Sequence, residues 1–384
     1  MAGIYIHIPF CRKACYYCNF HFSTSLLLKD KMIHAILKEI SMHASGNNEA
    51  MASMILEKSE SITSVYFGGG TPSILNQSEL QSIFFQLHKF YNIHPDAEVT
   101  LEANPDDINQ ENLAQWRVAG INRLSIGIQS FFDRDLKWMN RSHSAAQAKE
   151  AITLARKAGF TNFSADLIFG IPGLTDSEFM YNIRCLIELQ TPHIAAYALT
   201  VEPATALHKM IALNKKEEPE ANAQAAQFEL LMQEMKRAGY EHYEISNFAL
   251  PGMRSRHNSS YWQQKKYLGI GPSAHSYDGR SRYWNIAHNP KYIDLINQGK
   301  SAFEKEDLTK NQMYNEYIMT SLRTIEGIDL QFLQNQFSKE IKERTVCMLQ
   351  KMNSDWFYTS ANSISLTNQG KLFADKIASD LFVL

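Results

Sequence analysis

The chain has 384 residues, of which 45% are hydrophobic, so it is long enough for one large domain with a smaller one beside it. The formal net charge of −2 argues against the basic surface typical of nucleic-acid-binding proteins. No run of about 18 apolar residues predicts a membrane span, and the first residues lack the layout of a secretory signal. We therefore expect a cytoplasmic location, with peripheral membrane contact left open.

Short β-rich segments alternate with amphipathic segments through the first 200 or so residues. The predicted strands are 3–9, 61–67, 97–105, 122–130, 162–173 and 193–203, and the predicted helices are 29–44, 77–91, 108–120, 144–160 and 175–190. Such alternation is typical of a parallel sheet with helical crossovers. Six units predict an α/β fold with a partial (βα)6 TIM-like barrel; a doubly wound open sheet is the alternative.

The rest of the chain changes character twice. After a predicted helix near 219–238, the next 60 or so residues are less regular and rich in Tyr, Asn, Gly and His. Helices, a hairpin and a closing helix are predicted after residue 300, in an order that resembles a winged-helix domain. We therefore predict a barrel over 1–238, an extension over 239–300 and a small C-terminal winged-helix-like domain over 301–384.

Three of the five cysteines, Cys11, Cys15 and Cys18, lie within eight positions, a distribution that does not fit a disulfide framework. Thiolates with this spacing can converge on one soft metal centre when they lie in a loop. Three ligands to a [4Fe–4S] cluster would leave one iron open to an exchangeable ligand. The alternatives are a zinc site, with His7 or His21 as a fourth donor, and buried free thiols.

Further polar or flexible residues fall at or just after the ends of predicted strands, where barrel proteins place their reactive groups. The Gly68–Thr71 stretch can expose backbone N–H groups to a ligand, or it can be an ordinary tight turn. Glu102 can contact a ligand, or be a capping or solvated acid. Asp166 lies in an apolar strand, where a carboxylate needs a partner, and Arg141 could form a structural ion pair with it.

The segment YIHIPFCRKACYYCNF, with its CxxxCxxC spacing, resembles the oxygen-independent coproporphyrinogen III oxidase family of the radical SAM superfamily. The resemblance extends over essentially the whole chain. It implies a [4Fe–4S] cluster on Cys11, Cys15 and Cys18, with S-adenosylmethionine (SAM) bound to the open iron and one or two SAM molecules in the site. It also implies SAM contacts from Tyr5, Tyr17, Gly69, Gly70, Thr71, Glu102, Gln129, Arg141, Asp166 and Ala198.

Two features resemble the heme-chaperone branch of this family more than the oxidases. The oxidases carry a further cysteine at the position of Phe20, and HNSSYW at 257–262 resembles the heme-binding signature of the branch. Imidazole is a competent axial ligand of heme iron. The implied heme contacts are His257, Asn258, Tyr261 and Trp262, with His275 as a second candidate ligand. Without the resemblance, HNSSYW predicts a strand edge with packed aromatic rings, and His275 a hydrogen-bonded histidine in a Gly-rich turn.

The resemblance therefore predicts a protein that binds heme and a SAM-coordinated [4Fe–4S] cluster and transfers heme to an acceptor protein, such as a respiratory hemoprotein. It also implies an electron donor for the cluster, and no nucleic-acid partner is expected. Two alternatives stay open: a radical enzyme that oxidises coproporphyrinogen III, an activity that Phe20 argues against, and a zinc-binding structural protein.

Overall fold

The structure, a computed structural model, describes residues 2–45, 55–56 and 59–383. Its strands are β1 (Ala2–Ile8), β2 (Ser61–Gly69), β3 (Asn92–Ala103), β4 (Arg123–Gln129), β5 (Phe163–Phe169), β6 (His193–Ala198), β7 (Glu241–Glu244), β8 (Asn247–Ala249), β9 (Tyr267–Ile270), β10 (His275–Tyr277), β11 (Ser281–Asn285), β12 (Phe303–Asp307), β13 (Ile328–Asp329), β14 (Phe357–Thr359) and β15 (Ser363–Leu366). Its α-helices are α1 (Lys29–Ser45), α2 (Gln77–Phe90), α3 (Gln110–Val118), α4 (Asp133–Trp138), α5 (Ala145–Lys157), α6 (Asp176–Glu188), α7 (Ala206–Ala212), α8 (Ala221–Arg237), α9 (Arg256–Trp262), α10 (Asn289–Asn297), α11 (Lys310–Leu322), α12 (Leu330–Gln336), α13 (Lys339–Leu349), α14 (Asn368–Lys371) and α15 (Ala374–Leu381).

Strands β1 to β6 form a parallel sheet in which each strand pairs with the next one along the chain. A doubly wound sheet would reverse its strand order at a switch point, and these six strands show no reversal. Crossovers of one hand therefore curve the sheet in one direction, as in a (βα)8 barrel. The predicted partial barrel is confirmed, and the doubly wound alternative is wrong.

The barrel does not close, because both edges of the parallel sheet continue into further strands. β9 pairs with β1 and is followed by β10, β11 and β12, whereas β8 pairs with β6 and is followed by β7. The sheet thus crosses the predicted boundaries at 238 and 300, and the three-part division stays a prediction.

The C-terminal part has its own small hydrophobic core, which lies between Tyr314 and Leu381 in the chain. It consists of helices α11 to α15 and of a three-stranded antiparallel sheet in the order β13-β15-β14. The helices and the hairpin follow the predicted order. Among the described residues, no helix combines the length and the apolarity needed to span a membrane.

Side-chain alternation gives the curved sheet an apolar outer face and a polar inner face. On β3, Val99 and Leu101 belong to the main hydrophobic core, whereas the side chains of Glu98, Thr100 and Glu102 alternate with them. Because successive side chains of a strand point to opposite faces, these polar groups share the face that lines the barrel interior. Polar side chains of the neighbouring strands also point into the barrel interior.

A cavity at the carboxyl ends of the strands

A cavity of about 790 Å³ opens at the carboxyl ends of the parallel strands. This volume lies within the range of small-molecule and cofactor sites. Its wall combines residues of the cysteine loop, of the inner faces of β2 to β6, and of the C-terminal helices. The geometry thus brings together segments that are hundreds of residues apart in sequence.

The cysteine loop follows β1 and is held in place by backbone hydrogen bonds. The N–H of Cys11 donates to the Ser23 carbonyl at 3.0 Å, and the N–H of Tyr16 donates to the Met139 carbonyl at 3.1 Å. All three clustered thiols are half-buried and line the cavity. Burial raises the pKa of the Cys18 thiol to about 11, so binding to iron must displace a proton from it.

The donor set fits a cluster better than a single metal ion. Within the described residues, no three His, Cys, Asp or Glu side chains are placed to coordinate one ion. His7 Nε2 is hydrogen-bonded to the His21 carbonyl oxygen at 2.9 Å, and His21 Nε2 to Asn289 Oδ1 at 2.7 Å, so each has a partner within the protein. The zinc alternative is therefore not supported. Thiolates of a [4Fe–4S] cluster bind different irons and need no common point, so the three thiols fit a cluster with one open iron.

Arg141 places a positive charge beside the cysteines. Its Nη1 donates to Cys15 Sγ at 3.2 Å, and its Nη2 donates to Asn104 Oδ1 and to the Gly127 carbonyl, both at 2.8 Å. A neighbouring cation favours the thiolate over the thiol. Within the described residues, Arg141 does not form the structural ion pair with Asp166 that the sequence suggested.

The glycine stretch after β2 allows two loops to pack closely. Gly69 has φ +104°, and a Cβ there would lie 2.5 Å from the His7 ring; a Cβ at Gly70 would lie 2.5 Å from the Phe10 carbonyl oxygen. The N–H of Thr71 donates to the same Phe10 oxygen at 2.7 Å. Only glycine fits at these two positions, where backbone forms the cavity wall beside the cysteine loop.

Two buried carboxyl groups face the cavity from β3 and β5. Glu102 accepts a hydrogen bond from the Tyr66 hydroxyl at 2.9 Å, and Asp166 accepts a longer one from Ser125 Oγ at 3.3 Å. Burial and, to a lesser extent, the nearby Asp166 carboxyl together raise the pKa of Glu102 to about 7. Burial also raises the pKa of Asp166, to about 6. Both groups can therefore change protonation state near neutral pH when a polar ligand enters.

Nine of the ten predicted SAM contacts line this one cavity: Tyr17, Gly69, Gly70, Thr71, Glu102, Gln129, Arg141, Asp166 and Ala198. Tyr5 is the exception, because its ring stacks on Tyr66 with 6.1 Å between centroids and its hydroxyl is hydrogen-bonded to His7 Nδ1 at 3.2 Å. Tyr5 therefore packs against Tyr66, a residue of the cavity wall, and the assignment of all ten stays a prediction.

HNSSYW forms helix α9 rather than a strand edge. The helix begins after Ser255, whose hydroxyl accepts a hydrogen bond from the Asn258 N–H. His257 packs level with Gly3, at the end of β1 that is opposite the cysteine loop. Tyr261, one turn after His257, faces the same side of the helix. The motif thus closes the amino-terminal side of the barrel.

His257 is 1% exposed, and both of its ring nitrogens have partners: Nδ1 is 2.8 Å from Ser64 Oγ, and Nε2 is 2.8 Å from the Tyr261 hydroxyl. Burial lowers the pKa of His257 to about 3, so the imidazole is neutral. Iron ligation by His257 would require one of these two hydrogen bonds to be replaced. Its role in heme binding stays a prediction.

The other predicted heme contacts are spread over the molecule. Asn258 is the one member of the set that lines the cavity, whereas the indole of Trp262 lies beneath Arg323, with 5.1 Å from guanidinium carbon to ring centroid. His275 begins β10 with an exposed side chain, and its ring centroid is 6.5 Å from that of Trp284. Burial nevertheless lowers the pKa of His275. His275 is thus the more accessible imidazole of the two candidates.

Sequence reasoning missed several residues that line the cavity: Asn104, Ser125, Ser164, Asn247, Arg323 and Lys371. Alternation along β4 and β5 could have identified the two serines, since each lies between two apolar residues of its strand. The last two belong to the C-terminal part, and no local pattern links that part to the barrel.

Comparison with known proteins identifies the class of this fold and site. Residues 5–186 match the model of the radical SAM superfamily. The chain is similar to "Heme chaperone HemW" of Bacillus subtilis, with 30% identity covering 98% of each chain, and of Escherichia coli, with 32% identity covering 85% and 83%. It is also similar to the structure of coproporphyrinogen III oxidase (HemN) from Escherichia coli, with a TM-score of 0.82, 23% identity, and 100% and 90% coverage.

The partial parallel barrel and the three-cysteine loop define a protein of the radical SAM class. Within that class, the chain belongs to the HemW family, because it is at least 30% identical to two of its members over nearly the full length of each. The likeness to the oxidase structure, at 23% identity, shows the shared fold alone.

Proposed function

We propose that this protein is a heme chaperone, which binds heme together with a SAM-coordinated [4Fe–4S] cluster and transfers the heme to an acceptor protein. The full-length similarity to curated heme chaperones is the observation that carries the proposal. Phe20 supports it, because an aromatic ring that is 67% exposed lines the cavity where the oxidases have a further thiol.

In this proposal, Cys11, Cys15 and Cys18 hold the cluster, and the nine cavity-lining residues named above contact SAM. When reduced, a cluster held by these cysteines would supply the electron that cleaves SAM in radical SAM proteins. Arg141 donates a hydrogen bond to Cys15 Sγ, and the buried carboxylates of Glu102 and Asp166 would accept hydrogen bonds from polar groups of SAM. The surrounding walls exclude water from these contacts.

The partners follow from this function. A heme-accepting protein, such as a respiratory hemoprotein, receives the cargo, and a separate reductant supplies electrons to the cluster. A cytoplasmic location agrees with the cysteines, because all five are free thiols in the structure.

A transfer assay tests the proposal. The protein is reconstituted anaerobically with iron, sulfide and SAM, titrated with heme, and then mixed with an apo-hemoprotein whose Soret band differs from that of the donor. We expect saturable heme binding and transfer to the acceptor at a rate faster than the release of free heme.

Two variants test the heme ligands. His257→Gln retains a side chain that can hydrogen-bond to Ser64, and His275→Gln changes an exposed residue. The variant that shifts the Soret band identifies the axial ligand, and an unchanged band in both would remove these two histidines from the heme site.

The same preparation is assayed with coproporphyrinogen III, SAM and a reductant. Robust formation of protoporphyrinogen would overturn the chaperone function in favour of the oxidase.

A further inference from the structure

A second part of the cavity wall lies where the sheet edge formed by β7 and β8 meets the C-terminal helices. Four of its polar residues are Asn247 on β8, Asn258 on α9, Arg323 after α11 and Lys371 at the end of α14, beside Ser246 and the exposed Asp375. None of the four is among the residues assigned above to the cluster or to SAM. This part of the wall therefore requires a separate explanation.

Lys371 carries a positive charge that forms no ion pair within the part of the chain that the structure describes, although the Glu244 carboxylate is near enough to act on it electrostatically. Its Nζ donates to Nδ1 of His242 at 2.9 Å. Burial lowers the pKa of His242 to about 3, so this acceptor is a neutral ring. Burial also lowers the pKa of Lys371 itself, to about 8, and the Glu244 carboxylate, which acts in the opposite direction, does not offset this effect.

Arg323, the other cation in this part of the wall, is already paired. Its Nε donates to Glu244 Oε1 at 3.0 Å, and its Nη2 lies 2.9 Å from the same oxygen. Asp375 lies 3.6 Å from Nη1 with a side chain that is 89% exposed, so solvent screens its charge. Lys371 is therefore the group on this side that can accept an anionic ligand without breaking an ion pair.

Other residues of the same cavity indicate what kind of ligand could bind there. Asn247 Oδ1 and His193 Nδ1 are buried atoms without a hydrogen-bond partner in the protein, and both residues line the cavity. Apolar side chains of Ile168, Phe169, Ala195, Phe228 and Ile245 line the same cavity. A site with apolar walls and an unpaired cation fits a flat apolar ring system with a carboxylate at its edge.

We infer that Lys371 binds a carboxylate side chain of the tetrapyrrole ligand, so that the C-terminal part completes the ligand site. The identity of the ligand rests on the proposed function. The charge and the position of Lys371 follow from the structure alone. Heme carries two propionates, and removal of one charged hydrogen bond weakens binding by at least about tenfold.

Heme and its dimethyl ester, in which both propionates are neutral, test this inference. Affinities of both are measured for the wild-type protein and for the Lys371→Met, Lys371→Arg and Lys376→Met variants. Lys376 is a matched control, because it lies on the neighbouring helix α15 with a side chain that is 67% exposed. We expect Lys371→Met to weaken heme binding about tenfold, to leave the affinity for the ester unchanged, and to be rescued in part by arginine.

An equal loss for heme and ester in Lys371→Met, or no loss at all, overturns the subsite while the chaperone function stands. Coproporphyrin III, an iron-free tetracarboxylate, is titrated in parallel by fluorescence. If the wild type binds this porphyrin through Lys371 but does not bind heme, the chaperone function fails and the carboxylate subsite stands. If neither ligand binds, both are overturned.

Discussion

Arg141 shows how a single residue prepares the cysteine loop for a metal centre. Its guanidinium contacts Cys15 Sγ on one side and the backbone of β4 at Gly127 on the other, so the strand fixes the position of the charge. Burial raises the pKa of the neighbouring thiols of Cys11 and Cys18, and the positive charge of Arg141 lowers it. The charge therefore offsets part of the effect of burial.

Cys15→Ala should remove the cluster and leave the fold intact. The cysteine loop lies outside the hydrophobic core, so the loss of one thiol costs little packing, whereas two ligands do not hold a [4Fe–4S] cluster stably. We expect anaerobically reconstituted Cys15→Ala to lose its visible absorbance and its inorganic sulfide, with an unchanged circular dichroism spectrum. Cys347→Ala, at an exposed thiol on α13, is the control and should retain both. A full complement of sulfide in Cys15→Ala would contradict the ligand assignment.

The buried carboxyl groups predict that SAM binding depends on pH. The pKa of Asp166 is raised to about 6 and that of Glu102 to about 7, and the charged forms are the better hydrogen-bond acceptors. Protons leave both groups as the pH rises from 5 to 8, so we expect SAM affinity to increase across this range.

Asp166→Asn should weaken SAM binding about tenfold at pH 8, remove the lower step of the pH profile and leave cluster content unchanged. Asp380→Asn, on α15, is the control and should bind SAM as the wild type does. Calorimetric titration of the reconstituted proteins measures both effects. A variant that loses the cluster but binds SAM normally would assign Asp166 to the scaffold.

Most of the candidate site could be predicted at the residue scale, because the cysteine spacing and the strand-end residues are local in sequence. The surroundings of Tyr5 and His257 were harder to predict, because in the folded chain their polar atoms are hydrogen-bonded to other side chains, those of His7, Ser64 and Tyr261. Of these partners, His7 and Tyr261 are near in sequence, but Ser64 is brought close to His257 only by the fold of the sheet. Sequence spacing alone cannot show it.

At the scale of elements, helix α9 depends on a buried carboxylate. Glu98 on β3 accepts hydrogen bonds from the backbone N–H groups of Arg256 and His257, at 3.1 Å and 3.0 Å. The same carboxylate lies 3.9 Å from Arg123 Nε, and both side chains are 1% exposed. One acid thus serves the first turn of the helix and neutralises a buried cation.

Glu98→Gln should lower the free energy of unfolding by about 3 kcal/mol, because it leaves the buried charge of Arg123 uncompensated. Glu343→Gln removes an exposed i,i+4 pair with Lys339 on α13 and should cost less than about 0.5 kcal/mol. Urea denaturation of the two variants compares the costs. Equal values would mean that Arg123 is neutralised by other groups.

Element prediction worked best where helix signals and hydrophobic periodicity agree. Helices α2, α5 and α6 begin at capping boxes, and the predicted starts lie within one or two residues of those observed. The short helices α4 and α7 were missed, because six or seven residues carry little periodicity. For α9, the Ser255 cap and the i,i+4 spacing of His257 and Tyr261 were local signals for a helix.

At the scale of the whole molecule, Arg323 joins the C-terminal part to the barrel. It pairs with Glu244 on β7, which is 1% exposed, and its guanidinium covers Trp262 of α9. Backbone hydrogen bonds run alongside, from the Ile245 N–H to the Arg323 carbonyl and from the Ile325 N–H to the Tyr243 carbonyl, each at 3.0 Å. Such contacts between residues 80 positions apart are not visible in local sequence patterns.

Arg323→Gln should destabilise the protein by about 3 kcal/mol, because Glu244 would stay buried without its cation. We expect calorimetry to show an earlier, separate transition for the core formed between Tyr314 and Leu381, since the link between the two cores is weakened. Arg237→Gln changes an arginine on α8 whose side chain is 71% exposed. It should change the free energy of unfolding by less than about 1 kcal/mol. A single transition at the wild-type temperature in Arg323→Gln would show that the backbone contacts suffice.

Because the parallel sheet does not close on itself, the size of ligand that its interior can accept is not fixed by strand pairing. In a complete barrel, widening the interior would rupture main-chain hydrogen bonds between adjacent strands. Here the first and sixth parallel strands are not paired with each other. The interior can therefore widen without breaking any hydrogen bond between these two strands. The strands can stay paired with their neighbours while loop contacts, such as the bond from the Leu207 N–H to the Tyr16 carbonyl, adjust to a bulky ligand.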